Sequence, residues 1–323
     1  MKNRKVIILY NAVDENCNPD EADVLHQVEL VSEALTELGY LPEAFPLGHN
    51  LKTDMDQIKA AEPLFVFNLV ESVFDKGELL YMGAAVLNAL KIPFAGVPVE
   101  GLFITTNKVL TKRLLRYNGI PTPDYYTLEQ LSLLKPHTRY LLKPISEDGS
   151  VGLDEDAVFT RDQQEMLDKI KLLPSSHFFI EEFIEGREFN LSVLGGKSKV
   201  DVLTPAEMVF HDFPEGKPRM LGYRAKWDES STEYKNTTRS FEGLAPDSNL
   251  YRELVRISRE CWEHFALKGF ARVDFRVDEK ENPWVIEING NPCISPDSGF
   301  IAAAHKAGLS NKEVIGRIIE ELT

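Results

Sequence analysis

Gly269-Phe270-Ala271-Arg272-Val273-Asp274-Phe275 and Trp284-Val285-Ile286-Glu287-Ile288-Asn289 are two apolar, strand-like runs, each interrupted by charged or amide residues at alternate positions. Between them Asp278-Glu279-Lys280-Glu281-Asn282 is a polar turn, so the pair reads as an antiparallel hairpin. Side chains alternate along a strand, which puts Arg272 and Asp274 on one face and Glu287 and Asn289 on one face. A register that joins those faces gathers two carboxylates, an amide oxygen and a guanidinium at one spot. Two close carboxylates repel unless protonated or bridged by a cation. An all-oxygen set with few protein groups suits Mg²⁺, which keeps waters and substrate phosphates as its other ligands. The plainer alternative is a surface hairpin with scattered charges. The matching alternate positions within apolar strands favour the metal site.

The rest of the chain bounds what such a site serves. At 323 residues there is room for two or three domains with real cores, and 43% hydrophobic with 27% charged residues is the balance of an ordinary soluble globular protein. A net charge of −15 argues against a broad nucleic-acid footprint, so any polyanion must be met by local lysines, arginines or metal ions. Cys17, Cys261 and Cys293 are widely spaced with no CxxC, which points to a reducing compartment. The apolar run Val6-Ile7-Ile8-Leu9-Tyr10 is too short for a signal peptide or a membrane span, so the expectation is a cytoplasmic protein.

Upstream of the hairpin three units are expected. Residues 1–103 alternate strand and helix signals: a strand at Val6 to Tyr10, helical spacing from Val24 to Leu38 stopped by Gly39, a strand at Leu64 to Phe67, a helix from Leu79 to Leu90 and a short strand at Ile92 to Gly96. This β-α-β-α-β order predicts a small, doubly wound, mainly parallel sheet; the absence of GxGxxG after the first strand argues against a strict dinucleotide fold. Residues 104–185 open with one helix from Thr105 to Asn118 and continue with strands at Tyr125 to Thr127, Tyr140 to Lys143 and Phe178 to Ile180, and a helix near Asp162 to Leu172. Residues 186–323 hold a strand at Glu188 to Leu194, a polar stretch from about His211 to Glu242, a helix from Asn249 to Leu267, the hairpin and a final helix from Asn311. A polar stretch that long is expected to be a lid or disordered.

Several segments have the chemistry of anion binding. Lys143 ends a strand and leads into Pro144-Ile145-Ser146-Glu147-Asp148-Gly149-Ser150-Val151-Gly152, a loop whose small residues allow several backbone N–H groups to point at one phosphate. A mobile hairpin tip has the same composition. Lys108 and Lys112 lie one turn apart on the helix after Thr105, where most lysines are solvated. Glu181-Glu182-Phe183-Ile184-Glu185-Gly186-Arg187-Glu188 joins two apolar strands through an acidic linker suited either to ribose hydroxyls and an exocyclic amine or to solvent. Lys226 sits in Ala225-Lys226-Trp227 within the polar stretch. Cys293 lacks a suggestively spaced histidine and is expected to be packed and inert.

In order and spacing these pieces resemble the ATP-grasp superfamily, most closely its D-alanine–D-alanine ligase branch, from about Gly77 onward. The resemblance rests on Thr106-Asn107-Lys108, the Lys143-Pro144 strand with Ser150-Val151-Gly152, Gly186-Arg187-Glu188-Phe189, Arg272-Val273-Asp274 and Glu287-Ile288-Asn289. Each is weak singly; five in register are strong. The fold it implies is α/β, with α+β character in the C-terminal parts: an N-terminal doubly wound parallel sheet and two α+β subdomains clasping ATP. Lys108 and Lys143 then look like the lysines that hold ATP phosphates. Glu181 looks like the adenine-side carboxylate, with backbone of Glu182 to Ile184 lining the base, and Glu188 like the ribose ligand. Asp274, Glu287 and Asn289 look like the ligands of Mg²⁺ (two ions, with Mn²⁺ an alternative). Arg272 resembles the arginine that stabilises the transition state; Ser150 and Lys226, the latter on the lid, also fall on family catalytic positions. Ser298 matches a serine that contacts the second substrate's carboxylate, and dimerisation through the N-terminal unit is a family trait.

Two departures touch the substrate side. Asn11-Ala12-Val13-Asp14-Glu15-Asn16 replaces the family's Gly-Gly-x-Ser-x-Glu, and Asn68-Leu69-Val70-Glu71-Ser72, with Glu71 a candidate substrate contact, replaces its His-Gly. Cys293 also follows Pro292 where glycine is usual. The expected function is therefore an ATP- and Mg²⁺-dependent carboxylate–amine ligase working through an acylphosphate on small amino-acid or peptide substrates. The alternatives are the same chemistry on other amino acids in a specialised pathway, or an ATP-binding protein without catalysis. The latter predicts loss of phosphate lysines or metal ligands, and all are present.

Overall fold

The structure, a computed structural model, describes residues 4–14, 17–147, 153–197 and 199–322. The phosphate-loop residues Gly149, Ser150 and Gly152 lie outside the described residues.

The first sheet contains β1 (Lys5–Asn11), β2 (Leu41–Leu47), β3 (Phe65–Leu69) and β4 (Phe94–Ala95), in the order β2-β1-β3-β4 with every pair parallel. Helices α1 (Pro19–Glu37), α2 (Leu51–Ala60), α3 (Tyr81–Leu90) and α4 (Val99–Thr106) accompany it. Val6 to Leu9 are completely buried because the central strands are covered on both faces. Val6 and Ile8 pack towards α1, while Ile7 and Leu9 pack towards the α3 side. The expected doubly wound sheet is present, with an extra strand. β2 carries Pro42 and Pro46 and is largely exposed, so it lacks the apolar alternation of a strand; it sits at the sheet edge, where a missing N–H is tolerated.

One expected helix is two. Asn107, with φ −91° and ψ 97°, ends α4 and caps α5 (Lys108–Tyr117), its side chain accepting from Leu110 N. Lys108 is consequently the first residue of a helix rather than a mid-helix residue. The second sheet follows: β5 (Tyr125–Tyr126), β6 (Arg139–Pro144), β7 (Val158–Thr160) and β8 (Phe178–Glu182), ordered β5-β8-β6-β7, antiparallel, with α6 (Gln164–Lys171) against it. Tyr140, Phe159, Ile170 and Ile180 form its small core.

The third sheet comprises β9 (Arg187–Leu194), β10 (Asp201–Val202), β11 (Ala206–Phe210), β12 (Thr237–Ser240), β13 (Phe270–Val277) and β14 (Pro283–Asn289), ordered β12-β11-β9-β13-β14 with β10 beside β9. Of the two expectations for the polar stretch, a lid or disorder, the second is not met: it folds as α7 (Tyr223–Trp227), α8 (Thr232–Lys235) and the edge strand β12. Helix α9 (Asn249–His264) buries Leu254, Ile257 and Cys261 against Leu191, Val193, Ala271 and Val273 of β9 and β13. Helices α10 (Gly299–Lys306) and α11 (Asn311–Ile318) pack back onto the first sheet, joining Phe300, Ile301 and Ile315 to Val6, Ile8 and Phe67. No helix among the described residues is long and apolar enough to cross a membrane.

Candidate functional site

Because α9 claims the odd-numbered face of β13, the even-numbered residues Arg272, Asp274 and Arg276 face the other way. Across the β13–β14 ladder Arg272 lies opposite Asn289 and Asp274 opposite Glu287. On β9, Asn190 lies opposite Asp274 and Glu188 opposite Arg276. A bulge makes this face possible: the register shifts between Asp274 and Phe275, so Phe275 pairs with Val285 and Ile286 is extra. Strict alternation would place Val285 and Glu287 together; the bulge lets Val285 be fully buried in the core while Glu287 turns to the polar face. No feature of the sequence marked that bulge.

The two opposed carboxylates are neutralised by cations. Arg272 grips Asp274 with two hydrogen bonds, Nε to Oδ1 at 2.7 Å and Nη2 to Oδ2 at 2.8 Å. Lys108 Nζ lies 2.9 Å from Glu287 Oε1 and donates to the Glu147 carbonyl at 2.6 Å. Asn289 Oδ1 accepts from Asn291 N at 2.8 Å, which fixes the amide. Among the described residues no three His, Cys, Asp or Glu side chains form a cage for a metal. The donor set is two carboxylates and one amide oxygen, all hard ligands. It fits a magnesium ion that takes its remaining ligands from water and phosphate.

This face opens onto a cleft between the second and third sheets. Lys143 comes from β6, Glu181 and Glu182 from β8, Phe183 and Ile184 from the connection to β9, and Glu188, Asp274, Glu287 and Lys226 from the third sheet and α7. Glu188 Oε2 accepts from Arg276 Nη1 at 3.2 Å and from Leu221 N at 3.3 Å, so Oε1 keeps its acceptor capacity. Arg276 also donates to the carbonyls of Ile184, Gly186 and Arg219, tying the linker under the cleft to the strand. Glu181 is 2% exposed and paired with Lys143 at 3.1 Å and with Lys112. Burial alone would raise its carboxyl pKa, but the two lysines outweigh that and hold it below the ordinary range. Lys112, expected among solvated helix lysines, is instead 1% exposed. Burial also pulls the Lys226 ammonium down, with Arg272 adding to the effect and Glu287, Asp274 and Glu188 opposing it.

Helix α7, which carries Lys226, is latched across the cleft to the second sheet. Arg224 donates to Glu155 Oε2 at 2.6 Å and to Glu233 Oε1 at 3.2 Å; Lys217 reaches both Glu155 and Glu233; Tyr223 N donates to the Leu153 carbonyl at 2.8 Å.

The substrate-side residues assemble elsewhere. β1 leads to β2 in one direction and β3 in the other, so the crevice beyond the carboxyl ends of β1 and β3 is a topological switch point, where ligands of open α/β sheets bind. Asn11 and Glu71 lie there: Asn11 Oδ1 accepts from Glu71 N at 3.2 Å and Glu71 Oε1 from Gln27 Nε2 at 2.9 Å. The segment after β14 closes the crevice, with Ile294 N donating to Gln27 Oε1 and Cys293 Sγ to Asp23 Oδ2 at 2.8 Å. Burial, with Asp23 and Glu71 nearby, pushes the Cys293 thiol well up, which makes it a poor nucleophile at neutral pH. Ser298 caps α10, its hydroxyl accepting from Ile301 N at 3.2 Å.

A profile of the D-ala D-ala ligase C-terminus family matches residues 114–320. The chain belongs to that family. As a D-ala D-ala ligase family member it is 27% identical to the D-alanine–D-alanine ligase of Haemophilus ducreyi over 330 aligned positions, which cover 99% of this chain and 98% of the relative. It is 28% identical to protein y4sG of Sinorhizobium fredii, covering 90% and 85%. Two structures of the Bacillus anthracis D-alanine–D-alanine ligase, one complexed with ATP, superpose with TM-scores of 0.72 and 0.71 at 23% and 21% identity, covering 99% and 98% of this chain and 97% of each. The ATP-grasp fold expected from the sequence is thereby shown, and with it a carbon–nitrogen ligase architecture.

Proposed function

We propose that this family member is an ATP- and Mg²⁺-dependent carboxylate–amine ligase that makes an amide bond through an acylphosphate. What carries the reading is Asp274 opposite Glu287, with Asn289 beside them, on the wall of a cleft that also presents Lys143, Lys226 and Glu188. The nucleotide lies in that cleft: adenine against Glu181 and the backbone of Glu182 to Ile184, ribose on Glu188, and phosphates on Lys108, Lys143, Lys226 and the loop containing Ser150. Asp274, Glu287 and Asn289 would hold Mg²⁺, which would supply charge neutralisation for the phosphates.

In the reaction, an oxygen of a substrate carboxylate attacks the γ-phosphorus and the bond to the β-phosphate oxygen breaks, releasing ADP. A second substrate's amine attacks the acyl carbon, loses its proton, and phosphate departs with the electron pair of the carbon–oxygen bond. Phosphorylation is needed because a free carboxylate is a poor acyl donor. Arg272 stabilises the transferring phosphoryl group and the tetrahedral oxyanion, and lid residues around Lys226 exclude the water that would hydrolyse the acylphosphate. Ser298 contacts the second substrate's carboxylate.

The identity of the substrates rests with the switch-point crevice. Asn11, Glu71 and Cys293 occupy it where the family has other residues, with Gln27 bonded to Glu71 and Ile294, which favours amino acids or small peptides other than two D-alanines as the second reading. Measuring ADP release with D- and L-amino acids, singly and in pairs, tests both. A pair that raises turnover above ATP alone supports the ligase, and its stereochemistry separates the readings. If no pair does so and Glu287→Gln leaves ATP binding unchanged, the ligase reading fails.

A further inference from the structure

Lys112 has no part in the chemistry described so far, yet it is among the most deeply buried charges in the protein. It is not among the residues that line the cleft and lies behind Glu181, which does. Its ammonium pairs with Glu181 and donates to Thr122 Oγ1 at 2.9 Å; Thr122 in turn donates to the Val285 carbonyl at 2.7 Å, joining α5 to β14. On the cleft side Lys143 holds the other Glu181 oxygen at 3.1 Å. One buried carboxylate is therefore shared by two lysines, only one of which can reach a ligand.

We propose that Lys112 is a positioning residue that keeps Glu181 compensated so that Lys143 can leave it for the nucleotide phosphates. The inference rests on the reading of the cleft as an ATP site. A buried carboxylate that loses its only cation is strongly unfavourable. With Lys112 charged behind it, Glu181 keeps a partner when Lys143 turns to phosphate. Without that charge, phosphate and Glu181 compete for one lysine. The penalty applies to ligands that carry phosphate and spares adenosine, which makes no demand on Lys143.

The charge on Lys112 is itself sensitive to pH. Burial lowers its pKa to about 8 against the pull of Glu181, with Lys143 and Arg116 adding to the lowering. ATP affinity should thus fall as pH rises through that value. Lys226, also lowered by burial, adds its own descent, which Lys112→Arg leaves in place while removing that of Lys112.

The experiment measures MgATP binding by calorimetry and adenosine binding by NMR titration, without amino acids, for the intact protein, Lys112→Met and Lys112→Arg. The expected result is a loss of at least about 30-fold for ATP in Lys112→Met against less than about 3-fold for adenosine. Lys112→Arg should restore ATP binding and flatten the part of the pH 7–9.5 profile due to Lys112. Equal weakening of both ligands in Lys112→Met would make the role purely structural and overturn the proposal. Should the variants not fold, a pH-independent ratio of ATP to adenosine affinity in the unaltered protein would also overturn it. Failure of the unaltered protein to bind ATP at all would instead overturn the ATP-site reading.

Discussion

Arg276→Met should destabilise the third sheet by about 3–5 kcal/mol, the cost of breaking a buried ion pair by removing one partner. The side chains of Arg276 and Glu188 are only 4% and 8% exposed, so solvent screens the pair little. Arg276 also donates to the carbonyls of Ile184 at 2.9 Å, Arg219 at 2.8 Å and Gly186 at 3.2 Å, and stacks over Phe183 at 5.2 Å. Summing each bond to a charged donor at about 1.5–3 kcal/mol would overshoot, because water reaches some of these carbonyls once the side chain is gone. The stranded Glu188 charge is the dominant cost. Adding Glu188→Gln removes that charge, so the double variant should recover about 1–3 kcal/mol relative to additivity. Urea unfolding followed by tryptophan fluorescence reads the right region, since Trp227, Trp262 and Trp284 all lie beyond residue 186. A shift below about 1 kcal/mol, or a cycle with no coupling, would refute the view that Arg276 and Glu188 form one buried unit beneath the cleft.

Glu287→Gln should lower ligase turnover by at least about 100-fold by weakening charge neutralisation at the phosphates, and should raise the Mg²⁺ concentration needed for half-maximal rate; near-normal turnover at low Mg²⁺ would count against the assigned site. Glu155→Gln should loosen the latch of α7 and quicken proteolytic cleavage within residues 211–242 several-fold, and added salt should have a similar effect on the unaltered protein because Arg224 is partly exposed. The latch also has a pH signature. A side-chain hydrogen bond from Lys217 is the main cause holding the Glu233 carboxyl at about 2, below its unfolded value of 4.5, so this contribution is complete above about pH 4.5 and lost as pH falls towards 2. Pepsin cleavage of the same stretch across that window checks it, and a Glu233→Gln variant with an unchanged acid profile would argue against it.

The hairpin was legible because it depends on local alternation: Arg272 and Asp274 are two apart on one strand, Glu287 and Asn289 on the other, and their facing register follows from a short turn. The bulge at Ile286 was not, since Ile suits an ordinary strand equally well. β2 and β12 escaped notice because edge strands need no continuous apolar face, and Pro42, Pro46 and Arg239 look like loop residues. Lys112 was misjudged for a different reason. Its burial is decided by Glu181, which arrives from β8, and a lysine one turn after Lys108 carries no local mark of that partner. The facing carboxylates of the hairpin were therefore readable from spacing, while their surroundings depend on contacts between distant segments.

The central claim is that a substrate carboxylate is activated by direct transfer of the γ-phosphoryl group. It is tested by supplying the productive carboxylate substrate with both oxygens labelled as ¹⁸O, together with ATP and the amine, and analysing the released phosphate by ³¹P NMR. An acylphosphate route predicts one ¹⁸O in each phosphate formed during coupling. Unlabelled phosphate accompanying amide formation, or labelled AMP in its place, would contradict it.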